Sequence, residues 1–371
     1  MTEADLPGLS RQVLLASFGL AALFGAVAQR SHFCTMGAVS DLVAMGDSTR
    51  MRMWVVAMAV AMMGFNTMVA LGWLKASDSI YAAPKLLWLS NMVGGALFGF
   101  GMVLASGCGS KTLVRIGGGS LKSLVVFFVL AFAAYATMRG IVAVGRVASI
   151  DRVLIELPAG QDLPSLLAHA SGIATPTAAG VLGIGLAVAM LLWVLSRPEG
   201  RRAEVWWAGL AVGFTVVAVW WVSGRLGHLA EHPVTLEEVF IATNSQRMES
   251  LTFVAPVAYT VDWLILFSDK SKLLTIGIVT VLGVIAGSAV VALATRSFRW
   301  EGFAGAEDTA LHLVGAALMG VGGVTAMGCT VGQGLTGLST LAVGSVLTLM
   351  GILGGAVVAI KWQMWRLERL A

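Results

Sequence analysis

Charge is what this sequence has least of. Asp, Glu, Lys and Arg make up 12% of its 371 residues, about half the share usual in a soluble domain, while 57% are hydrophobic. That shortage excludes the two or three soluble domains that length alone would allow. Cysteine is scarce as well. Cys34, Cys108 and Cys329 are an odd number at wide spacing, without a CxxC or a Cys/His cluster, so a disulfide framework is not expected. Only His32 is near a cysteine in sequence, so no metal site is expected either. The chain has no GxxxxGK[ST] pattern, which leaves a P-loop motor and any other cofactor without support. A net charge of +4 placed in loops reads as topology information and not as a nucleic-acid footprint. The first residues, "MTEADLPGLSRQ", carry two acids before the first Arg. They lack a cationic n-region and a small-residue cleavage site, so a cleaved signal peptide is not expected.

What is present is a series of long apolar runs. No charge falls between Arg52 and Lys75, Lys85 and Lys111, Asp162 and Arg197, Glu204 and Arg225, Lys272 and Arg296, or Asp308 and Lys361. A spanning helix needs about 20 apolar residues, so these runs predict an all-α polytopic membrane protein. Nine spans are expected, at 12–29, 53–74, 86–106, 121–140, 172–196, 205–223, 273–295, 308–327 and 340–361. The shorter apolar pieces 33–46 and 250–267 read as re-entrant half-helices, and 141–171 as an extracytoplasmic connection with a helix lying at the interface. Lys and Arg in the short loops set the orientation. Arg50 and Arg52, Lys111, Arg115 and Lys122, Arg197, Arg201 and Arg202, Arg296 and Arg299, and Arg366 and Arg369 follow alternate spans. They place the N-terminus outside and the C-terminus in the cytoplasm. The loop "SDKSK" (268–272) breaks the rule, and its Asp269 partly offsets it.

The chain also repeats itself. Residues 94–108, "GGALFGFGMVLASGC", lie without a gap on 315–329, "GAALMGVGGVTAMGC", with nine of fifteen positions identical. A weaker match sets "AQRSHFCTMGAV" (28–39) on "SQRMESLTFVAPV" (245–257), with Leu251 opposite Cys34. Four spans, a linker span and four spans give halves of opposite orientation. We therefore expect an inverted internal repeat, with an N-terminal unit 1–171, a linker span 172–204 and a C-terminal unit 205–371. Such repeats place a transport site near the midplane.

After Gly107 and Gly328 the apolar pattern stops, and "GCGSK" and "GCTVGQG" follow. Irregular backbone at membrane depth survives only where protein or a water-filled cavity satisfies it, so each break points to a lined path. Gly107, Gly109 and Gly328 let backbone approach a solute. Short helices over 110–116 and 331–337 would offer free N–H groups to an anion, and Ser110, Thr112, Thr330 and Gln333 add neutral donors. A thiol is a weak donor and a soft partner, which suits a sulfur-bearing anion that must be released again. A single buried Cys is commonly a small hydrophobe; two at matching breaks favour function, whereas Cys34 fits packing or function equally. Arg30 and Arg247 are either anion-steering groups or interfacial anchors, and Lys111 is a further steering candidate. Asp41 and Asp262 sit either inside half-helices, where charge suggests function, or at the interface.

"QRSHFCTMGAVSDL" (29–42), together with the two Gly-Cys loops in halves of a nine-span chain, resembles the YeeE/YedE family of bacterial inner-membrane proteins. The resemblance covers residues 12–362. It implies an hourglass-shaped importer of thiosulfate or related sulfur compounds. Carried over by motif, it makes Cys34, Cys108 and Cys329 the residues of the path, between which the anion passes by S–H···S hydrogen bonds without large rocking of domains. It also implies a cytosolic sulfur-carrier partner of the TusA-like type. Two alternatives stand beside it. One is transport of another small anion, such as a selenium species or sulfite. The other is a membrane thiol-redox or sulfurtransferase protein that uses the thiols covalently.

Overall fold

The computed structural model describes residues 5–233 and 235–370; Met1 to Ala4 of the N-terminal segment lie outside the described residues. The apolar runs fold as helices because a helix satisfies its own backbone groups in lipid. In chain order these are α1 (Leu6–Ser31), α2 (Thr35–Ala44), α3 (Thr49–Ala70), α4 (Trp88–Leu104), α5 (Gly109–Gly117), α6 (Leu121–Arg139), α7 (Ile141–Ala148), α8 (Leu163–Ser171), α9 (Thr175–Leu195), α10 (Ala203–Trp221), α11 (Ala255–Ile265), α12 (Ile276–Ala294), α13 (Ala306–Thr325) and α14 (Val343–Leu370). Among the described residues, nine segments are long and apolar enough to cross a membrane, counting α1–α2 and α4–α5 as one broken span each. The expected half-helices at 33–46 and 250–267 appear as α2 and α11, and the long connection 141–171 holds α7 and α8.

Three elements differ from expectation, the first being α1, which runs Leu6–Ser31 instead of the expected 12–29. The segment 331–337 is not a regular α-helix but a π-helical turn, Gly332–Gly337, in which Thr336 N–H donates to Val331 O at 3.0 Å, five residues back. Gly332, Gly334 and Gly337 offer no side chains to resist the wider winding. The ninth span runs on to Leu370. At 28 residues it is about 42 Å long, more than the hydrocarbon needs. Arg366 anchors the extension by an ion pair to Glu307 (2.7 Å) and, like Arg369, lies over a neighbouring tryptophan ring.

Loops gather on two faces. On one, Met248 N–H donates to Asp78 O (3.1 Å), Leu163 N–H to Leu341 O (3.1 Å) and Val343 N–H to Gln161 O (3.0 Å). Two-residue strands pair Lys85–Leu86 with Ile155–Glu156, and His228–Leu229 with Val239–Phe240. On the other face, Arg299 N–H donates to Gly118 O (3.0 Å), and buried Arg52 donates to Trp193 O and Val194 O at the end of α9 (2.7 and 2.8 Å). The two described ends of the chain lie on opposite faces.

The helices pack in reciprocal pairs: α1 on α12 and α10 on α3, α14 on α4 and α6 on α13. At the centre α4 crosses α13. A β-carbon on Gly94 would stand 2.8 Å from Gly322 O, and one on Gly322 would stand 2.7 Å from Gly94 O. The same mutual approach joins Gly101 and Gly315, at 2.6 Å each way. Small residues are the usual means by which membrane helices approach this closely.

Candidate functional site

The site begins where α4 and α13 stop, and they stop identically. Ser106 and Met327 adopt left-handed backbone (φ 55° and 58°). Gly107 N–H reaches back to Met102 O, and Gly328 N–H to Gly323 O, both at 2.8 Å. This six-to-one closure ends a helix sharply. It turns the next residue, a cysteine in both cases, into the protein interior.

Each cysteine then takes a similar local role. Cys108 is the N-cap of α5 and Cys34 the N-cap of α2. Cys34 Sγ accepts from Gly37 N–H (3.4 Å) and Cys329 Sγ from Gly332 N–H (3.3 Å), whereas Cys108 caps α5 without a side-chain cap hydrogen bond. Each sulfur thus sits at the first turn of a short helical segment, where free N–H groups and the helix dipole favour negative charge. All three thiols are free and buried. The side chains of Cys34 and Cys108 interact with each other, Thr330 interacts with Cys108, and Cys329 lies within electrostatic range of Cys108. Ser110 Oγ is 3.2 Å from Cys108 Sγ.

The second Gly-Cys loop holds unfilled hydrogen-bonding capacity. Gln333 Nε2 donates to Ala326 O (2.6 Å), but Gln333 Oε1 and Thr330 Oγ1 are buried without a hydrogen bond of good geometry among the described residues. An unpaired buried polar atom costs about 1–3 kcal/mol, so two in one loop mark a place that water or a polar solute would fill.

Cavities approach the thiols from both faces. On the face of the α1–α2 and α4–α5 junctions, a cavity of about 460 Å³ reaches Cys34 and Ser106 and is lined by Arg50, Lys111 and Arg115, with Asp41, Asp47 and Glu204. Arg50 Nε pairs with Asp41 (2.7 Å), while Lys111 and Arg115 form no ion pair among the described residues. Hydrogen bonds from Thr49 hold the Asp47 carboxyl below its ordinary value. From the opposite face a cavity of about 100 Å³ includes Tyr81, Thr252, Glu249 and Tyr259. Tyr81 interacts with Thr252 and lies within electrostatic range of Cys329. A β-carbon on Gly332 would meet the Thr252 side chain, so this cavity ends against the Cys329 turn.

The remaining sequence candidates fall elsewhere. Arg30 is exposed at the end of α1. Arg247 Nη1 donates to Ser77 O and Ser79 O (both 3.3 Å), tying two loops. Asp262 pairs with Lys272 (2.6 Å). Gly109 packs against Phe253, which keeps the first turn of α5 close to the second half. Sequence reasoning did not single out Tyr81, Thr252 or Glu249. Tyr81 comes from a loop with no motif, Glu249 and Thr252 from the weaker repeat match 245–257, and only the fold brings them to Cys329.

The sequence profile of the family described as "Sulphur transport" matches residues 30–358. Among curated proteins, the thiosulfate transporter TsuA of Spirochaeta thermophila is 28% identical over 363 residues, covering 93% of this chain and 97% of that one. The thiosulfate transporter TsuA of Escherichia coli is 26% identical over 360 residues, covering 92% and 93%. A probable transporter YedE of Salmonella typhimurium is 35% identical over 103 residues, covering 26% of this chain and 23% of its own.

Proposed function

This chain belongs to the Sulphur transport family, and on that premise we propose that it takes up thiosulfate or a closely related sulfur anion across the bacterial inner membrane. The observation that carries the mechanism is three buried thiols at the starts of short helical segments, Cys34 and Cys108 as N-caps and Cys329 just before the turn Gly332–Gly337. The anion enters by the cavity at Tyr81 and Thr252, meets Cys329, passes to Cys108 beside Thr330 and Ser110, and leaves past Cys34. Neutral thiols and backbone N–H groups hold it weakly enough for release. Lys111 and Arg115 draw it into the inner cavity. Gln333 keeps the Cys329 loop shaped, and Gly107 and Gly328 close the helix ends that present the thiols.

The chain works in this reading as two inverted units, 1–171 and 205–371, joined by the span in 172–204. The reciprocal approach of Gly94 to Gly322 and of Gly101 to Gly315 supports that division. The basic inner cavity faces the cytoplasm, with the N-terminus outside. There a TusA-like sulfur carrier receives the anion. The protein performs no catalysis, and the thiols stay free throughout.

The test is uptake of labelled thiosulfate into cells lacking other thiosulfate uptake. Cys108→Ala should lower the initial rate by at least about tenfold, while Cys108→Ser, which keeps a small donor at the N-cap, should retain part of it. Undiminished uptake by Cys108→Ala would rule out the thiol route.

A further inference from the structure

We infer that the outer face carries an anion-capture pocket, formed by Arg139 and Lys272 with Tyr135, Tyr259 and Asn244, which holds the sulfur oxyanion before it reaches Cys329. The inference deepens the transport reading and rests on it for the identity of the anion.

The pocket is a cavity of about 210 Å³ between the C-terminal end of α6, α11 and the loop before α12. That is the volume of about seven waters, enough for one small oxyanion that keeps part of its hydration. Arg139 closes α6, and Gly140 then turns the chain away. The guanidinium is exposed and has no ion pair among the described residues. Lys272 Nζ is held 2.6 Å from Asp262 Oδ2, and this hydrogen bond raises the ammonium above its ordinary value and keeps it cationic. With one carboxylate against two cations, the cavity carries a surplus positive charge. The Tyr135 and Tyr259 hydroxyls make no hydrogen bond among the described residues, which leaves both able to donate to an oxyanion. Arg is the side chain best shaped for such an anion.

Position turns a polar pocket into part of a route. Asn244 and Tyr259 are walls both of this cavity and of the smaller one that reaches Tyr81 and Thr252. Asn244 is fixed as the partition by Nδ2–H donation to Thr275 Oγ1 (3.0 Å). The chain has three tyrosines in all, and every one of them lines one or both of these cavities. Charged groups stand at the outside, neutral donors at the neck and the Cys329 thiol at the end. An ion drawn in by cations is thus handed to groups that bind it less tightly, as conduction requires.

The experiment combines uptake in proteoliposomes with intrinsic fluorescence, because Trp263 lines the pocket. Arg139→Gln should raise the half-saturating thiosulfate concentration by about tenfold and leave the maximal rate within about twofold, as loss of an outer charge does when the limiting step lies deeper. Arg139→Lys should recover part of the loss. Asp262→Asn should act in the opposite direction and lower the half-saturating concentration, which a merely structural role would not do. Thiosulfate should change the fluorescence of wild type and of Cys108→Ala, but not of Trp263→Phe or Arg139→Gln. An unchanged half-saturation and fluorescence response in Arg139→Gln would overturn the pocket and leave Arg139 as an interfacial anchor. Binding at Trp263 that depends on Arg139, in a wild type that transports nothing, would support the pocket and overturn the transport reading instead.

Discussion

A single carboxylate tests the route most sharply. Glu249 lines the small outer cavity that ends at Tyr81 and Thr252. Its Oε1 accepts from Asn244 N–H (3.1 Å), Ser245 N–H (2.9 Å) and Ser245 Oγ (2.6 Å). Burial nonetheless pushes the carboxyl above its ordinary value, and the titratable groups facing it are Tyr81 and Tyr259. An ionised Glu249 about 5 Å from a dianion would repel it by roughly 7 kcal/mol at an effective dielectric constant of about 20. On the proposed route the anion should therefore pass while Glu249 is protonated. Uptake should fall as external pH rises through the raised Glu249 value, and Glu249→Gln should flatten that fall. Superimposable pH profiles for the two proteins would count against passage beside Glu249. The sign for stability follows from the same shift. The folded state holds this proton more tightly than the unfolded chain, so Glu249 costs stability as pH rises from its unfolded value through its folded one. Neither Glu249 nor Tyr81 was legible in the sequence, since both lie in loops without periodicity. Cys108 and Cys329 were legible because a glycine precedes each and the apolar run ends there.

At the scale of elements, the crossing of α4 and α13 holds the two Gly-Cys turns against each other. In lipid this contact gains nothing from expelling water, so it depends on close backbone approach. A β-carbon on Gly101 would come within 2.6 Å of Gly315 O, and one on Gly315 equally close to Gly101 O. Gly101→Val and Gly315→Val should each destabilise the protein by about 1–3 kcal/mol. Both should lower the melting temperature in detergent by similar amounts, because each meets its neighbour's backbone in the same way. Gly354→Val is the control, with nothing within 4 Å of the added carbon. Unequal losses at 101 and 315 would argue that the reciprocity is superficial. The alignment of 94–108 on 315–329 exposed these glycines from sequence alone. The π-helical turn Gly332–Gly337 was not visible there, because α and π winding share the same apolar and glycine pattern and differ only in which carbonyl each N–H finds. The lengths of α1 and α14 were underestimated for a related reason. Arg11, Arg30 and Lys361 look like span boundaries, yet long side chains let a helix continue into the interface.

At the scale of the molecule, the direction of transport depends on which face is which. Among the described residues nine segments are long and apolar enough to cross a membrane, and an odd number of crossings puts the described ends on opposite faces. The face holding Lys111, Arg115, Lys122, Arg299 and Arg366 has short, basic loops, whereas the other holds the long connections 71–87, 140–174 and 227–254. Basic residues count most in short loops, so the proposed orientation makes the first face cytoplasmic. The exceptional loop 268–272 conflicts less than its composition suggests, since Lys272 is paired with Asp262. The three native cysteines are buried, at 8%, 1% and 0% exposure, so a membrane-impermeant maleimide finds little background in intact cells. Lys270→Cys, at an exposed position of the outer loop, should be labelled in intact cells. Glu368→Cys, exposed near the end of α14, should be labelled only after permeabilisation. Native Cys34, in the wall of the inner cavity, should follow Glu368→Cys, and thiosulfate should slow its reaction. The reverse pattern would invert the molecule. The basic cavity would then open outward, Cys34 would be the first thiol met and Cys329 the last, and the pocket at Arg139 would receive the anion instead of capturing it.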